Sequence, residues 1–330
     1  MDAYVSDRYH QRCLNSLVPM LGDPDALLDQ DLFAAIVILR TLEEIEVPLS
    51  GADSGTHLFG SHLFVTASGK SPMSGSGQPD ASSNLAGLRR AAFLVAFRQE
   101  VFTAFVSQRP VTPAFFLYDV DRSIDVPADD YTWTNRILLH VADALAFCFP
   151  DSAVAKDESI RKYEELVEYG EQWYANKPQN FNPIFYNKAG CDDSDDVANG
   201  RRLSPDIWLL SDTVVTGLLN YHLSRILLLA FDPRAPRLGP SRHYFLKRQT
   251  KEIKQEVKTM IGMANGNAQC APHFLLACTG IALAGDRFEK RWEQDELMQF
   301  LNKAEAACAW STTAAQQHLM EAWAWMGTDV

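Results

Sequence analysis

None of the six cysteines (Cys13, Cys148, Cys191, Cys270, Cys278 and Cys308) stands in a C-x-x-C arrangement with another. A zinc cluster needs closely spaced thiolates to close a tetrahedral shell around each metal. These residues read instead as free thiols packed in a reducing compartment. Basic charge is also short: 30 Lys and Arg face 42 Asp and Glu, a formal net charge of −12. Nucleic acid is a polyanion that demands a basic surface, so direct DNA binding is not expected. The densest basic stretch, 242–258, is interrupted by Glu252 and Glu256 and reads as a solvated helix face. No apolar run reaches about 18 residues without a polar interruption, which predicts no membrane span. Met1-Asp2-Ala3-Tyr4 has neither the basic region nor the apolar core of a secretory signal. The expected setting is intracellular. A G-x-S-x-G elbow, a P-loop and a G-x-G-x-x-G loop are missing too, and no Ser/His/Asp or Cys/His arrangement stands out. His57 and His62 are five apart, whereas two-histidine metal sites on helices use four; His243, His273 and His318 are isolated.

What the chain does contain is helical periodicity. Hydrophobic residues make up 47% and charged residues 22%, ordinary for a globular protein. The first helix is predicted over 5–21. In the next, Asp29 or Asp31 is the cap, and Leu32, Ile36, Leu39, Leu42 and Ile45 recur at helical spacing up to Pro48. Residues 50–82 are rich in Gly and Ser and read as a polar, mobile loop around a short apolar element, His62-Leu63-Phe64-Val65. Ser82 or Ser83 caps a long helix to Gln108, with Phe93, Phe97, Val101 and Phe105 on one face. Further helices are predicted over 131–149, 159–175, 209–231, 244–264, 270–285, 292–310 and 312–325. The buried side of 159–175 is Tyr163, Leu166, Val167, Gly170 and Trp173. A second polar, irregular stretch spans 176–204. The expected fold is all-α, a single irregular domain of about nine or ten helices over residues 1–330, with no convincing strand pairs.

Several motifs carry a family resemblance. They are 40-RTLEEIEVPL-49 with Gly51, Asp53 and His57-Leu58-Phe59-Gly60-Ser61; Gly87-Leu88-Arg89-Arg90-Ala91-Ala92-Phe93; and Phe97-Arg98-Gln99-Glu100. Others are Trp173-Tyr174-Ala175-Asn176-Lys177-Pro178, Phe231-Asp232-Pro233-Arg234 and Pro236-Arg237-Leu238-Gly239. Together they resemble the helical regulatory domain of fungal zinc-cluster transcription factors, the ARCA-like branch, over about residues 4–310. The six-cysteine DNA-binding module of that family has no counterpart among these cysteines. The resemblance implies an all-helical fold and a role in sensing a metabolite or partner. It also implies pairing as a homodimer or with an intact zinc-cluster factor, and a nuclear location. It supplies no catalytic residues and no cofactor.

Residues that could carry chemistry fall in three groups. Asn220, Tyr221, His222 and Arg225 sit inside the most apolar helix, where 218, 221, 222, 225 and 229 share a face. Burying an arginine is costly without an anion or acceptors. Tyr221, His222 and Arg225 therefore mark either a pocket for an apolar or anionic small molecule or a hydrogen-bonded network in which Arg225 meets a carboxylate. Arg98, with Arg89, Arg90 and Glu100, forms a second group, and an Arg98 pair with Glu43 or Glu44 would hold two helices in register. Arg98 also joins the candidate ligand contacts. Asp192, Asp193 and Asp196 fit the bare spacing of the D-D-x-x-D motif with which helical class I terpene cyclases bind Mg²⁺. They lie between Gly190 and Gly200 in a polar stretch where the resemblance has a variable insert, so the favoured reading is a solvated loop with no metal. The alternative function is a cytoplasmic secondary-metabolism cyclase, either Mg²⁺-dependent on prenyl diphosphate or metal-free, in an aromatic-lined cavity.

Overall fold

The computed structural model describes residues 5–23, 25–46, 56–69, 83–117, 121–152, 155–188, 202–308 and 310–325. Among them are eleven α-helices and one two-stranded ribbon, so the protein is all-α. The chain divides into two compact units.

The first unit takes residues 1–44, 54–102 and 112–119. It holds α1 (Val5–Met20), α2 (Gln30–Glu46) as far as Glu44, α3 (Thr56–Gly69), α4 (Ser83–Val106) through Phe102, and the 3₁₀ turn Pro113–Leu117. Asp29 is the cap of α2: its carboxylate accepts from the backbone N–H of Asp31 at 2.8 Å and of Leu32 at 3.0 Å. The Gly/Ser-rich 50–82 stretch was expected as loop, yet α3 occupies 56–69 of it. Burial overrides propensity there. Leu58, Phe64 and Val65 are all buried, and Phe64 stacks on Phe33 of α2 with ring centroids 5.4 Å apart. Arg89 of α4 donates to the carbonyls of Leu28 at 2.8 Å and Leu27 at 3.1 Å, and Gln99 donates to that of Val37 at 3.0 Å. Glu100 is fully buried and accepts from the N–H and the hydroxyl of Thr112, both at 2.8 Å, with His62 Nε2 at 3.0 Å. One carboxylate thus ties α3, α4 and the approach to the 3₁₀ turn together.

The second unit takes residues 45–53, 103–111 and 120–330. Its helices are α5 (Asp130–Cys148), α6 (Lys156–Ala175), α7 (Asp212–Ala230), α8 (Pro240–Gly266), α9 (Ala271–Ala284), α10 (Arg291–Cys308) and α11 (Thr313–Ala322). α7 is the hub, packed against α5, α6, α8 and α9. Among the described residues it alone has the length and hydropathy of a membrane span. Two thirds of that window (67%) is buried, the environment of a core helix. Trp133 of α5 and Trp173 of α6 are buried and stacked at 6.2 Å, and the Trp173 indole N–H donates to the Trp133 carbonyl at 3.0 Å. Of the stretch 242–258, Arg242, Lys247, Arg248 and Lys251 are exposed as expected. Lys258 is buried instead, and with Lys254 it pairs with Glu293 of α10 at 3.0 and 3.1 Å.

No strand pair was expected, but β1 (Phe185–Asn187) and β2 (Asp206–Trp208) run antiparallel, with Tyr186 opposite Ile207. Three-residue strands are too short to show a period of two in the sequence. The ribbon is held from outside: Asn267, just past α8, donates to the Ile207 carbonyl at 3.1 Å and accepts from the Leu209 N–H at 3.1 Å. α8 comes so close that a Cβ on Gly266 would collide with the Ile207 carbonyl oxygen. The free thiols are also less uniform than expected. Cys148 and Cys278 are buried, Cys270 and Cys308 are half-buried, and Cys13 is exposed; Cys191 lies outside the described residues.

Candidate functional site

α7 begins on Ser211, whose hydroxyl accepts from the Val214 N–H at 3.4 Å, and ends before Asp232-Pro233, because a residue preceding proline disfavours helix. Its stripe of 222, 225 and 229 is half-buried at the edge of the helix packing. His222 and Arg225 thus stand where protein meets solvent, while Asn220, Tyr221 and Ser224 of the same helix are buried.

That edge borders a cavity of about 180 Å³. The second unit alone forms its walls: His140 from α5, Tyr163 and Gly170 from α6, Tyr221, Ser224 and Arg225 from α7, Asp232 and Arg234 from the following turn, and Arg248 and Glu252 from α8. Arg225 donates from Nε to Glu256 Oε1 at 2.8 Å and from Nη1 to the Tyr221 hydroxyl at 3.3 Å. Glu256 Oε2 lies 2.5 Å from His222 Nδ1. Burial alone would raise the Glu256 carboxyl, but the contacts from His222 and Arg225 outweigh it and hold it below its ordinary range. Tyr221 is stacked between Trp173 and Tyr174, with centroids at 5.6 and 4.8 Å. Across the cavity Arg234 grips Asp232 with two hydrogen bonds of 2.9 Å, and its guanidinium lies 4.6 Å from the Tyr163 ring centroid. Burial, with Asp232 alongside, pushes the Tyr163 hydroxyl up to about 12.

His140 is 2% exposed, and its Nε2 is buried without a hydrogen-bond partner. Burial, with the Arg122 and Lys162 charges adding to it, lowers the ring to about 4, so it is neutral at physiological pH. Gly170 makes room for it: a Cβ at that position would stand 3.2 Å from Nε2.

The structure thus brings Tyr221 and Arg225 to the cavity wall, with His222 behind them through Glu256. The carboxylate required by the network reading of Arg225 is present. Arg225 is also less buried than an apolar helix suggests, its side chain being 35% exposed. Arg98 belongs to the first unit and is half-buried on α4. On α2, Arg40 lies 2.9 Å from Glu43 and 3.7 Å from Glu44. Asp192, Asp193 and Asp196 lie outside the described residues. Sequence reasoning missed His140, Asp232 and Arg234. The signals for them were Gly170 on a buried helix face and a charged pair flanking Pro233, neither of which names a partner.

A separate group combines three potential metal ligands. Oxygen of the Asp212 carboxylate, sulfur of Cys270 and a ring nitrogen of His273 all lie within 4.8 Å of one another. The spacing Cys270-x-x-His273 was available in the sequence, but Asp212, 58 residues away, was not an evident partner.

No family model, no curated protein and no solved structure matches the chain.

Proposed function

We propose that the protein is a ligand-sensing helical module, a regulatory domain of the fungal zinc-cluster transcription-factor type. Its sensor would be the α5–α8 cavity and its ligand a small polar metabolite with an anionic group. The observation that carries this reading is a cavity of about 180 Å³ in the second unit that brings Arg225 and Arg234 together with Tyr163 and Tyr221 in its wall. The guanidinium groups are already paired, Arg225 with Glu256 and Arg234 with Asp232. They are thereby held in place, with donors to spare for a carboxylate or phosphate. The mixed charge of the walls suits recognition of a polar molecule better than the folding of a polyene, which favours sensing over cyclisation. Regulation would then act through a pairing partner, either a second copy or an intact zinc-cluster factor.

The test is a thermal-shift screen of the full chain against small carboxylates and phosphate esters. A true ligand at a hundred times its Kd should add about 2.7 kcal/mol of stability. That gain should vanish in both Arg225→Ala and Arg234→Ala. A screen without hits, or hits indifferent to both substitutions, would refute the proposal.

A further inference from the structure

Three guanidinium groups line the α5–α8 cavity, those of Arg225, Arg234 and Arg248, and each has a carboxylate of its own. Arg225 holds Glu256 at 2.8 Å, Arg234 holds Asp232 at 2.9 Å, and Arg248 lies 3.4 Å from Glu252. Glu171 of α6 lines the same cavity, and among the described residues no cation pairs with it. Four carboxylates thus stand against three guanidinium groups. A ligand with negative charge alone would add a like charge beside Glu171, where the protein screens it less than water does. A ligand that also carries an ammonium group restores the balance.

α6 runs antiparallel to α7. Tyr174, near the end of α6, stacks on Tyr221 at 4.8 Å, while Tyr163, nearer its start, lies beside Arg234 beyond the end of α7. Glu171 is one turn back from Tyr174 and Arg225 one turn on from Tyr221, so the free carboxylate and the guanidinium sit on facing turns. Val167, Leu228 and Leu229 give the wall an apolar side. The volume of about 180 Å³ limits the size of what enters. A cavity of about 150 Å³ accepts benzene, so there is room for about ten non-hydrogen atoms. On the reading of this cavity as a sensor, we infer that its ligand is a small zwitterion of the amino-acid class with an apolar side chain. Its carboxylate takes the donors that Arg225 and Arg234 have to spare, and its ammonium group, carried on the adjacent carbon, meets Glu171. The side chain lies against Val167, Leu228 and Leu229.

The experiment is calorimetric titration of the full chain with L-valine, L-leucine, L-methionine and L-phenylalanine, each beside its des-amino acid and its decarboxylated amine. At least one amino acid should bind. Its des-amino acid and its amine should each bind at least about tenfold more weakly, because each lacks one of the two charged groups that the wall would pair. Glu171→Gln, at an exposed position, should bring the amino acid down to the affinity of its des-amino acid, with the latter bound no more weakly than before. A des-amino acid that binds as well as its amino acid, or a Glu171→Gln protein that keeps the full preference, would overturn the inference. If Arg225→Ala still abolished binding in either case, the cavity would remain an anion sensor of another ligand class. Failure of all four amino acids to bind would also overturn the inference, and the screen of carboxylates and phosphate esters would then decide the sensor reading separately.

Discussion

Glu256 on α8 lies 2.5 Å from His222 on α7, and its other oxygen takes the Arg225 guanidinium at 2.8 Å. One carboxylate therefore holds two adjacent turns of the hub helix against its neighbour. The same contact orients Arg225 at the cavity wall.

Glu256→Ala should destabilise the protein by about 2–3 kcal/mol, because it strands a half-buried guanidinium and an imidazole without their acceptor. Glu256→Gln should cost less, keeping the shape but not the charge. The Glu256 carboxyl is held below its ordinary value in the folded state. Its contribution is thus complete above the usual carboxylate range and is lost as pH falls beneath it. Urea denaturation at pH 7 and at progressively acid pH measures both effects; a Gln variant as stable as the parent would show that the charge has no role.

His140 has the same sign for a different reason. Its ring is lowered from 6.5 to about 4 by burial, so the unfolded chain binds a proton that the folded chain rejects. Stability should be complete above about 6.5 and decline toward pH 4, by about 3 kcal/mol over the window. His140→Phe should remove that part of the slope. A denaturation series across the window checks it, and an unchanged slope in the variant would place the acid sensitivity elsewhere.

In the first unit, Glu100→Ala should cost about 2–4 kcal/mol. It removes the acceptor for two Thr112 donors and for His62 from a fully buried position. Because the unit is compact in itself, hydrogen exchange should quicken in α3 and α4 ahead of the helices of the second unit. A uniform change across both units would contradict that expectation.

Much of the fold was legible in the residues. Apolar spacing located the long helices, and proline, glycine and capping carboxylates placed their ends, because those signals act within one or two turns. Predicted and observed helices differ mainly at the margins; 209–231 became Asp212–Ala230 once Ser211 took the cap. The buried face of α6 was read nearly residue for residue. The departures came where burial decided. Phe64 needs Phe33 across the first unit to make a helix of a Gly/Ser-rich stretch, and Ile207 needs Asn267 to become a strand.

By itself, then, the sequence determined an acidic, helical chain and a polar stripe on its most apolar helix, since periodicity and charge are properties of neighbours along the chain. Only the tertiary structure decided that Glu256 answers Arg225, that His140 stands unpartnered in a cavity wall, and that Asp212 reaches Cys270 and His273. Each of these joins residues from different helices, and the partner of a buried polar group depends on how the helices pack.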